Sequence, residues 1–333
     1  MTLRTSPASI RSRIPIARVP AEPRDRLEGT WRLAHPPRIR AAFEASQRRT
    51  TGGWYVVGSS RELRTDRSLV RAVDGREVAL WRGKDGRLLA GPGSCPHLGA
   101  LLDDCEVRHG QVYCRWHGMA LGEGGQAGWR PFPAYDDGVL LWVQLAAAGE
   151  AVTDRPVLPP RPVPGESIAT VIAVRGRCAP QDIVANRLDP WHGTWYHPYA
   201  FSHLVVDDEA SSDDCLTVDV TFRLSRGWGV PVRVEFTCPD ARSIVMTITE
   251  GEGVGSVVET HATPLGADDR GQEWTVMTEA TIAHSHRPGF AVARRVAGLV
   301  RPAVASTAAR LWVDDMAYAE RRWLLRSRGE SFG

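Results

Sequence analysis

Two short segments, Cys95-Pro96-His97-Leu98-Gly99 and Cys114-Arg115-Trp116-His117-Gly118, decide how this sequence folds. Each offers one thiolate and one imidazole, and sixteen residues separate His97 from Cys114, so two loops can hold one metal centre. Two chemistries use such ligands: tetrahedral zinc, or a [2Fe-2S] cluster with both thiolates on one iron and both imidazoles on the other. Zinc fingers pair their cysteines first and their histidines later, whereas here a histidine follows each cysteine. This order favours the two-iron cluster, with zinc as the alternative.

Length and composition are those of an ordinary globular chain of about two domains. The 333 residues are 43% hydrophobic and 24% charged, and the 32 glycines and 23 prolines indicate many turns and a largely β architecture. The net charge of +2 gives no strong field for nucleic acid or an anionic membrane, and no apolar run is long enough to cross a membrane. The N-terminus lacks the apolar core of a secretory signal, so we expect a cytoplasmic protein with reduced cysteines.

The distribution of strand and turn signals predicts two domains after an N-terminal extension. Short β-like runs separated by turn residues begin at Trp54 and predict a small all-β module. A proline-rich stretch at 156–164 predicts a stiff linker. We therefore expect three regions: an extension over 1–50, an all-β domain over 51–155 and an α+β domain over 156–333.

Hydrophobic periodicity predicts the architecture of the second domain. Apolar and polar residues alternate in three stretches with the period of half-buried strands: 216–224, 232–236 and 274–282. This alternation predicts an antiparallel sheet with one packed face. Two later stretches, 291–300 and 306–325, have helical spacing interrupted at Pro302, and we expect them to cover that face.

A second set of metal-ligand residues lies in segment 186–197, Asn-Arg-Leu-Asp-Pro-Trp-His-Gly-Thr-Trp-Tyr-His. His192 and His197 are five residues apart, so a widened helical turn would point both rings at one metal. Two imidazoles and one carboxylate on one face of Fe(II) leave positions open, as in non-haem Fe(II) oxygenases. On the C-terminal helix, Asp315 lies about 70° from the centre of the apolar stripe and Asp314 about 170°. Asp315 can therefore face inward as the third ligand.

The two cysteine-histidine segments resemble the Rieske motif, and segment 186–197 resembles the mononuclear-iron motif Asn-x2-Asp-x2-His-x4-His of Rieske non-haem iron oxygenase catalytic subunits. High-potential respiratory Rieske proteins have two further cysteines where this chain has Ala100 and Trp116, so the resemblance is to the oxygenase type. It implies an N-terminal all-β Rieske [2Fe-2S] domain and a C-terminal α+β helix-grip (START-like) catalytic domain with an antiparallel sheet.

Carried over by position, the resemblance implies a role for each motif residue. The cluster would be held by Cys95, His97, Cys114 and His117. A mononuclear Fe(II), with O2 as co-substrate, would be held by His192, His197 and Asp315. The family's aspartate corresponding to Asp189 passes electrons between the centres by hydrogen-bonding the partner subunit's cluster histidine, which here is His117, and this implies a homotrimer. Asn186, the first residue of the motif, would be a further catalytic residue.

The resemblance implies a terminal oxygenase that receives electrons from a ferredoxin, an NAD(P)H-dependent flavin reductase, or both, because no Gly-rich dinucleotide fingerprint occurs here. We expect it to hydroxylate, demethylate or oxidatively cyclise a lipophilic small molecule, in secondary metabolism. The alternative is a non-enzymatic Rieske electron carrier whose second domain only binds a ligand. Iron content separates the two, at about three Fe per chain for the oxygenase and about two for the carrier.

Overall fold

The computed structural model describes residues 16–19, 29, 31, 33–126, 128–146, 150–225 and 227–330. About half of the extension predicted over 1–50 therefore lies outside the described residues, and the described half includes strand β1 (Ala17–Arg18) and helix α1 (Pro36–Gln47). Nine strands follow in the N-terminal half: β2 (Trp54–Ser59), β3 (Leu69–Val73), β4 (Arg76–Arg82), β5 (Leu88–Pro92), β6 (Glu106–Arg108), β7 (Gln111–Tyr113), β8 (Ala120–Leu121), β9 (Ala134–Asp136) and β10 (Leu140–Gln144).

These nine strands form three small antiparallel sheets, in the orders β2-β10-β9, β3-β4-β5 and β6-β7-β8. The Asp74-Gly75 turn joins β3 to β4 with positive φ at both residues, which is the geometry of a tight hairpin turn. Both faces of β4 are buried, since the consecutive Leu80 and Trp81 point to opposite faces and are both fully buried. This packing makes the sheets a rigid support for the loops that leave β5 and β7.

The C-terminal half is an antiparallel sheet with helices on one side. Its elements are β11 (Ile168–Gly176), α2 (Pro180–Arg187), α3 (His192–Tyr196), β12 (Phe201–Val206), β13 (Cys215–Ser225), β14 (Trp228–Thr237), β15 (Ser243–Gly251), β16 (Val257–Ala267), β17 (Glu273–Ala283), α4 (Pro288–Arg295) and α5 (Ala297–Ser327). The strand order is β11-β17-β16-β15-β14-β13-β12, with β1 paired to β14. The three alternating stretches of the sequence lie in β13, β14 and β17, as predicted.

Helix α5 covers the sheet through an apolar stripe. Trp312, Met316 and Ala319 are buried and pack against Ile183 of α2 and Met277 of β17. The sequence predicted that the helical region would break at Pro302, but the structure breaks it at Val296, between α4 and α5. Pro302 lies within the second turn of α5, where its missing N–H removes a single helical hydrogen bond. No helix among the described residues has the length and apolar character needed to cross a membrane.

The two halves contact each other through buried polar groups. The Asp74 and Gly75 N–H groups donate to the carbonyls of Pro264 and Leu265 in β16, at 2.8 and 3.0 Å. Arg161, from the segment between the halves, bridges Asp137 of the first half and Glu259 of β16. Burial raises the pKa of Glu259, but hydrogen bonds from His261 and Arg161 outweigh it and hold the pKa below its ordinary value. The two halves are therefore held together by an ion-pair cluster in which Arg161 neutralises carboxylates from both.

Candidate metal centres

The two cysteine-histidine loops have the same backbone design. In each, the cysteine N–H donates to the carbonyl five residues later, at 2.8 Å for Cys95 and 2.9 Å for Cys114. The cysteine carbonyl in turn accepts the N–H of the glycine four residues later, at 2.9 Å in both loops. Gly99 and Gly118 have φ of 74° and 69°, which a side chain would disfavour. Both segments therefore close into tight turns of the same design.

The side chains of these loops meet as a Cys2His2 set. The Cys95 and Cys114 thiols are buried, and the His97 and His117 rings lie outside them with centroids 4.8 Å apart. Burial, together with the adjacent Cys114 thiol, raises the pKa of Cys95 against the opposing effect of the His97 backbone N–H. Two inner thiols and two outer imidazoles are the donor set of a [2Fe-2S] cluster with one thiolate-bound and one imidazole-bound iron. The residues fit that group.

The second site is built by α3 and α5. His192 is the first residue of α3 and His197 directly follows its last residue, with a backbone φ of −116° and ψ of 54°. This short, abruptly ended helix is how two histidines five residues apart face the same side, with ring centroids 5.2 Å apart. Asp315, in the middle of α5, reaches both rings.

The ligand atoms of this site converge on one point. Asp315 Oδ1 lies 3.2 Å from His192 Nε2 and 2.9 Å from His197 Nε2, and all three atoms lie within 4.8 Å of one another. Burial lowers the pKa of His192, but the Asp189 and Asp315 carboxylates raise it to about 9. Burial raises the pKa of Asp315, but hydrogen bonds from His192 and His197 outweigh it and hold this pKa below its ordinary range. Two imidazoles and one carboxylate aimed at one point fit a 2-His-1-carboxylate metal site.

The remaining motif residues surround these ligands. Asn186 is fully buried and its Nδ2 donates to Asp315 Oδ1 at 3.3 Å. Asp189 Oδ2 lies 3.7 Å from His192 Nδ1. The buried Asp189 Oδ1, His192 Nδ1 and Asn186 Oδ1 have no hydrogen-bond partner among the described residues. Within the described chain no hydrogen bond or ion pair joins Asp189 to His117, so the structure brings Asp189 to one metal set and not to the other.

Sequence analysis missed two residues on the far side of His197. Tyr199 and Asp314 both approach its Nδ1, at 3.4 and 3.6 Å. Tyr199 follows His197 by two residues and Asp314 precedes Asp315, so proximity to the motif was the available signal. The helical projection had set Asp314 aside because it does not point into the core.

A cavity of about 480 Å³ lies beside the His192, His197 and Asp315 side chains. Its walls are mainly apolar and come from the sheet and from α5, including Phe201, Leu204, Val218, Val220, Phe222, Phe236, Met246, Val258, Val304, Leu311 and Trp312. Charged residues also line it, among them Arg187, Arg223 and Glu279. Glu279 Oε2 accepts a hydrogen bond from Trp312 Nε1 at 2.7 Å, and burial raises the pKa of Glu279. The metal site therefore opens onto a space suited to a molecule with little charge.

Comparison with known proteins finds a matching protein family for each half of the chain. Residues 53–141 match the Rieske [2Fe-2S] domain, and residues 147–330 match a domain of unknown function, DUF5914. Aminopyrrolnitrin oxygenase PrnD of Pseudomonas fluorescens is 35% identical over 85 residues, covering 26% of this chain and 23% of that protein. The oxygenase component of dicamba O-demethylase of Stenotrophomonas maltophilia is 32% identical over 104 residues, covering 27% of this chain and 30% of that one. The chain thus spans less than a third of these relatives' lengths.

The fold similarity extends further than the sequence similarity. The crystal structure of dicamba monooxygenase bound to dicamba superposes with a TM-score of 0.64 at 19% identity, covering 85% of this chain and 91% of that chain. The expected fold class, an all-β Rieske domain followed by an α+β domain with an antiparallel sheet, is confirmed. The chain belongs to the family of the DUF5914 domain, joined here to a Rieske [2Fe-2S] domain in the fold of a Rieske oxygenase component.

Proposed function

We propose that this chain is the terminal oxygenase of a Rieske non-haem iron system, which uses electrons from an external ferredoxin or flavin reductase and O2 to oxidise a lipophilic small molecule. The observation that carries the proposal is the second ligand set. His192, His197 and Asp315 converge beside a large apolar cavity. An electron carrier needs the Rieske domain but has no use for three ligands that converge beside a cavity.

Each ligand set is assigned one group. Cys95, His97, Cys114 and His117 would hold the cluster, and His192, His197 and Asp315 would hold the mononuclear iron. When bound, these groups supply one-electron transfer and the reduction of O2.

The chain's own residues prepare the mononuclear site. Asn186 holds Asp315 in place by donating to its Oδ1. Asp189 faces Nδ1 of His192. A carboxylate at that nitrogen keeps the proton there and leaves Nε2 free as a ligand.

The cavity determines what kind of molecule reaches this site. Apolar walls from Phe201, Phe222 and Trp312 favour an apolar body and exclude water. Glu279, with its raised pKa, can donate or accept one hydrogen bond from the wall and orient that body. The matched relatives are named as an oxygenase and an O-demethylase, which supports hydroxylation or demethylation as the reaction class.

We further propose a homotrimer in which Asp189 of one chain meets His117 of the next. The support is the surface around the cluster loops. Leu98 and Trp116 are 62% and 58% exposed beside the exposed His97 and His117. Asp189 keeps a buried oxygen without a partner in the described chain. Sedimentation at three times the mass of one chain would support the trimer, and a stable monomer would contradict it.

Product analysis tests the oxygenase proposal. Anaerobically reconstituted protein is reduced with a ferredoxin and reductase pair, mixed with lipophilic extracts, and exposed to 18O2. We expect products that have gained labelled oxygen or lost a methyl group. An electron carrier would reoxidise its cluster without forming any labelled product, and that result would contradict the proposal. The cytoplasmic location and a role in secondary metabolism remain predictions.

A further inference from the structure

The ring nitrogen of His197 that faces away from the proposed metal contacts a tyrosine and a carboxylate that have no part in the function proposed above. His197 Nδ1 lies 3.4 Å from Tyr199 Oη and 3.6 Å from Asp314 Oδ2. Tyr199 Oη donates a hydrogen bond to Asp314 Oδ2 at 2.7 Å. The His197 ring, the Tyr199 hydroxyl and the Asp314 carboxylate therefore form a short hydrogen-bonded chain on the side of His197 that faces away from the proposed metal.

The chemistry of these groups determines which of them donates each hydrogen bond and which accepts it. An ionised carboxylate only accepts, so the tyrosine hydroxyl must donate to Asp314. The Tyr199 oxygen is then available to accept from His197, which requires the imidazole proton to be on Nδ1. A proton on Nδ1 leaves the lone pair on Nε2, the atom that lies 2.9 Å from Asp315 Oδ1.

Neighbouring groups hold the pair in place. The Arg310 guanidinium lies over the Tyr199 ring, 3.9 Å from its centre. His197 is 1% exposed, so few other groups can reach its Nδ1. Asp314 directly precedes Asp315 in α5. One helix therefore supplies both the ligand Asp315 and the carboxylate that ends the hydrogen-bonded chain behind His197.

We propose that Tyr199 and Asp314 are positioning residues that fix the tautomer and orientation of His197 as a metal ligand. The inference rests on the proposed function, because it presupposes a metal on His192, His197 and Asp315. It gives each histidine a carboxylate-linked partner, which is Asp189 for His192 and the Tyr199–Asp314 pair for His197.

Metal binding by conservative variants tests the pair. Co(II) is titrated anaerobically into protein that keeps its oxidised cluster and whose mononuclear site has been emptied with a chelator, and the affinity and the Co(II) EPR spectrum are measured. We expect Tyr199→Phe and Asp314→Asn each to weaken binding by about 10–100-fold and to change the EPR spectrum. The double variant should bind no more weakly than the poorer single variant, because both changes break the same chain. Thermal unfolding of the apoproteins checks that each variant is folded.

Tyr196→Phe is the matched control. The Tyr196 hydroxyl lies 3.4 Å from the backbone carbonyl of Asp314, and Tyr196 is a tyrosine of the same segment that does not reach Nδ1 of His197. It should bind Co(II) like the wild type. Unchanged affinity and spectra in Tyr199→Phe and Asp314→Asn, additive losses in the double variant, or an equal loss in Tyr196→Phe would each overturn the pair's role. A wild-type protein that binds no Co(II) would overturn this inference and the proposed function together.

A different observation concerns the surface formed by α4 and the start of α5, which we call the 292–299 surface. Val292, Val296 and Leu299 are 58%, 43% and 81% exposed. Hydrogen bonds from Val296 N to the Val292 carbonyl and from Leu299 N to the Val296 carbonyl continue the helical turn across the junction. The three side chains, four and three residues apart, therefore form one apolar stripe facing solvent.

The charged residues of the segment around this stripe are all basic. Residues 280–313 contain no Asp or Glu and five arginines, of which Arg287 is paired with Glu252 and Arg310 lies over the Tyr199 ring, which leaves those at positions 294, 295 and 301 beside the stripe. Arg294 and Arg301 donate to the backbone carbonyls of Gly165 and Ala169, so no carboxylate neutralises them among the described residues. Burial and the nearby positive charge of Arg61 lower the pKa of Arg301. An apolar stripe flanked by uncompensated arginines is complementary to anionic lipid headgroups above an apolar layer.

The same helix also forms part of the cavity wall. Ala303, Val304 and Thr307 of α5 line the cavity beside the metal ligands. They follow Leu299 by only one to two turns. A molecule dissolved in a lipid layer at the 292–299 surface would therefore be close to the cavity.

We propose that the 292–299 surface docks on an anionic lipid bilayer, with Leu299 inserted at the headgroup level. Binding follows from this surface alone, while delivery of a lipophilic substrate from the bilayer also rests on the proposed function. The overall charge of +2 does not oppose this, because residues 288–313 contain four arginines and no Asp or Glu.

Vesicle co-sedimentation tests the surface. The full chain is mixed with vesicles of phosphatidylcholine alone, or with phosphatidylglycerol added. We expect binding only to the anionic vesicles, weakened by salt and lost in Leu299→Asp. Arg295→Glu should weaken it about five-fold or more for each charge removed. Val152→Asp changes a valine that is 60% exposed outside this surface and should bind like the wild type.

Three results would overturn the docking proposal. The first is no binding to anionic vesicles. The second is binding that Leu299→Asp and Val152→Asp affect equally. The third is an oligomer in solution that Leu299→Asp dissociates, because a second copy of the chain would then cover the stripe.

Discussion

Asp189 has the least complete surroundings of the residues at the mononuclear site. One of its oxygens faces His192 Nδ1 at 3.7 Å, while the other is buried without a hydrogen-bond partner among the described residues. A buried carboxylate oxygen without a partner is costly, so a group from outside the described chain is expected to reach it. The proposed neighbouring His117 would satisfy that oxygen.

Replacing Asp189 by Asn tests its role in passing electrons between the centres. The change keeps the shape of the side chain but removes its charge, so both metal sites should still load. We expect reoxidation of the reduced cluster by O2 to slow by about 10–100-fold. Stopped-flow absorbance of the cluster measures this rate. Reoxidation at the wild-type rate would remove Asp189 from the electron route.

At the residue level, the sequence correctly predicted the side-chain positions that depend only on local helical spacing. The helical projection selected Asp315 over Asp314 because one points to the apolar stripe and the other does not, and the structure places Asp315 between both histidines. It missed Tyr199 and the Tyr199–Asp314 contact, because that hydrogen bond joins the segment after α3 to α5 and depends on how the two pack. The ligand and transfer roles themselves remain predictions.

Among the elements, the two cluster loops depend most clearly on backbone conformation. Gly118 has φ of 69°, and a Cβ added there would meet no atom within 4 Å. Gly118→Ala should therefore lower the free energy of unfolding by about 1–2 kcal/mol through the backbone alone. Gly124→Ala is the control, since Gly124 also has open space but no positive φ. Chemical denaturation of both variants measures the difference, and equal losses would contradict this account of the loop.

Hydrophobic periodicity predicted the helices of the second half but not the position of the break between them. Spacing predicted both helical stretches and the face that α5 buries. It located the break at Pro302, whereas the chain bends at Val296. A proline near a helix start costs one hydrogen bond, which packing of the later turns offsets, and that packing is not visible in the local sequence.

At the scale of the whole molecule, Arg161 connects the halves. Its guanidinium pairs with Asp137 at 2.8 Å and with both oxygens of Glu259, and all three side chains are largely buried. Arg161→Leu would remove the cation that the two buried carboxylates share and should lower the free energy of unfolding by about 3–5 kcal/mol. Arg64→Leu removes the exposed Arg64–Asp66 pair and should cost about 0–1 kcal/mol. Similar losses in both variants would contradict a clamp between the halves.

This clamp has a defined pH dependence. The pKa of Glu259 is held below its ordinary value of 4.5 in the folded protein. Its contribution to stability is therefore fully present above pH 4.5 and is lost as the pH falls through the lower folded value. The stability difference between wild type and Arg161→Leu should shrink as the medium is acidified in that range. Denaturation curves at neutral and acidic pH check this, and a difference that grows on acidification would contradict it.

The central claim is that one chain holds two separate iron centres, and iron content tests it most directly. Anaerobically reconstituted wild-type protein should contain about three Fe per chain. Asp315→Ala should contain about two and keep the visible spectrum of the cluster, while Asp269→Ala, which changes an exposed loop carboxylate, should keep all three. Two Fe in the wild type, zinc in the Cys95 and Cys114 loops, or loss of the cluster spectrum in Asp315→Ala would contradict the claim.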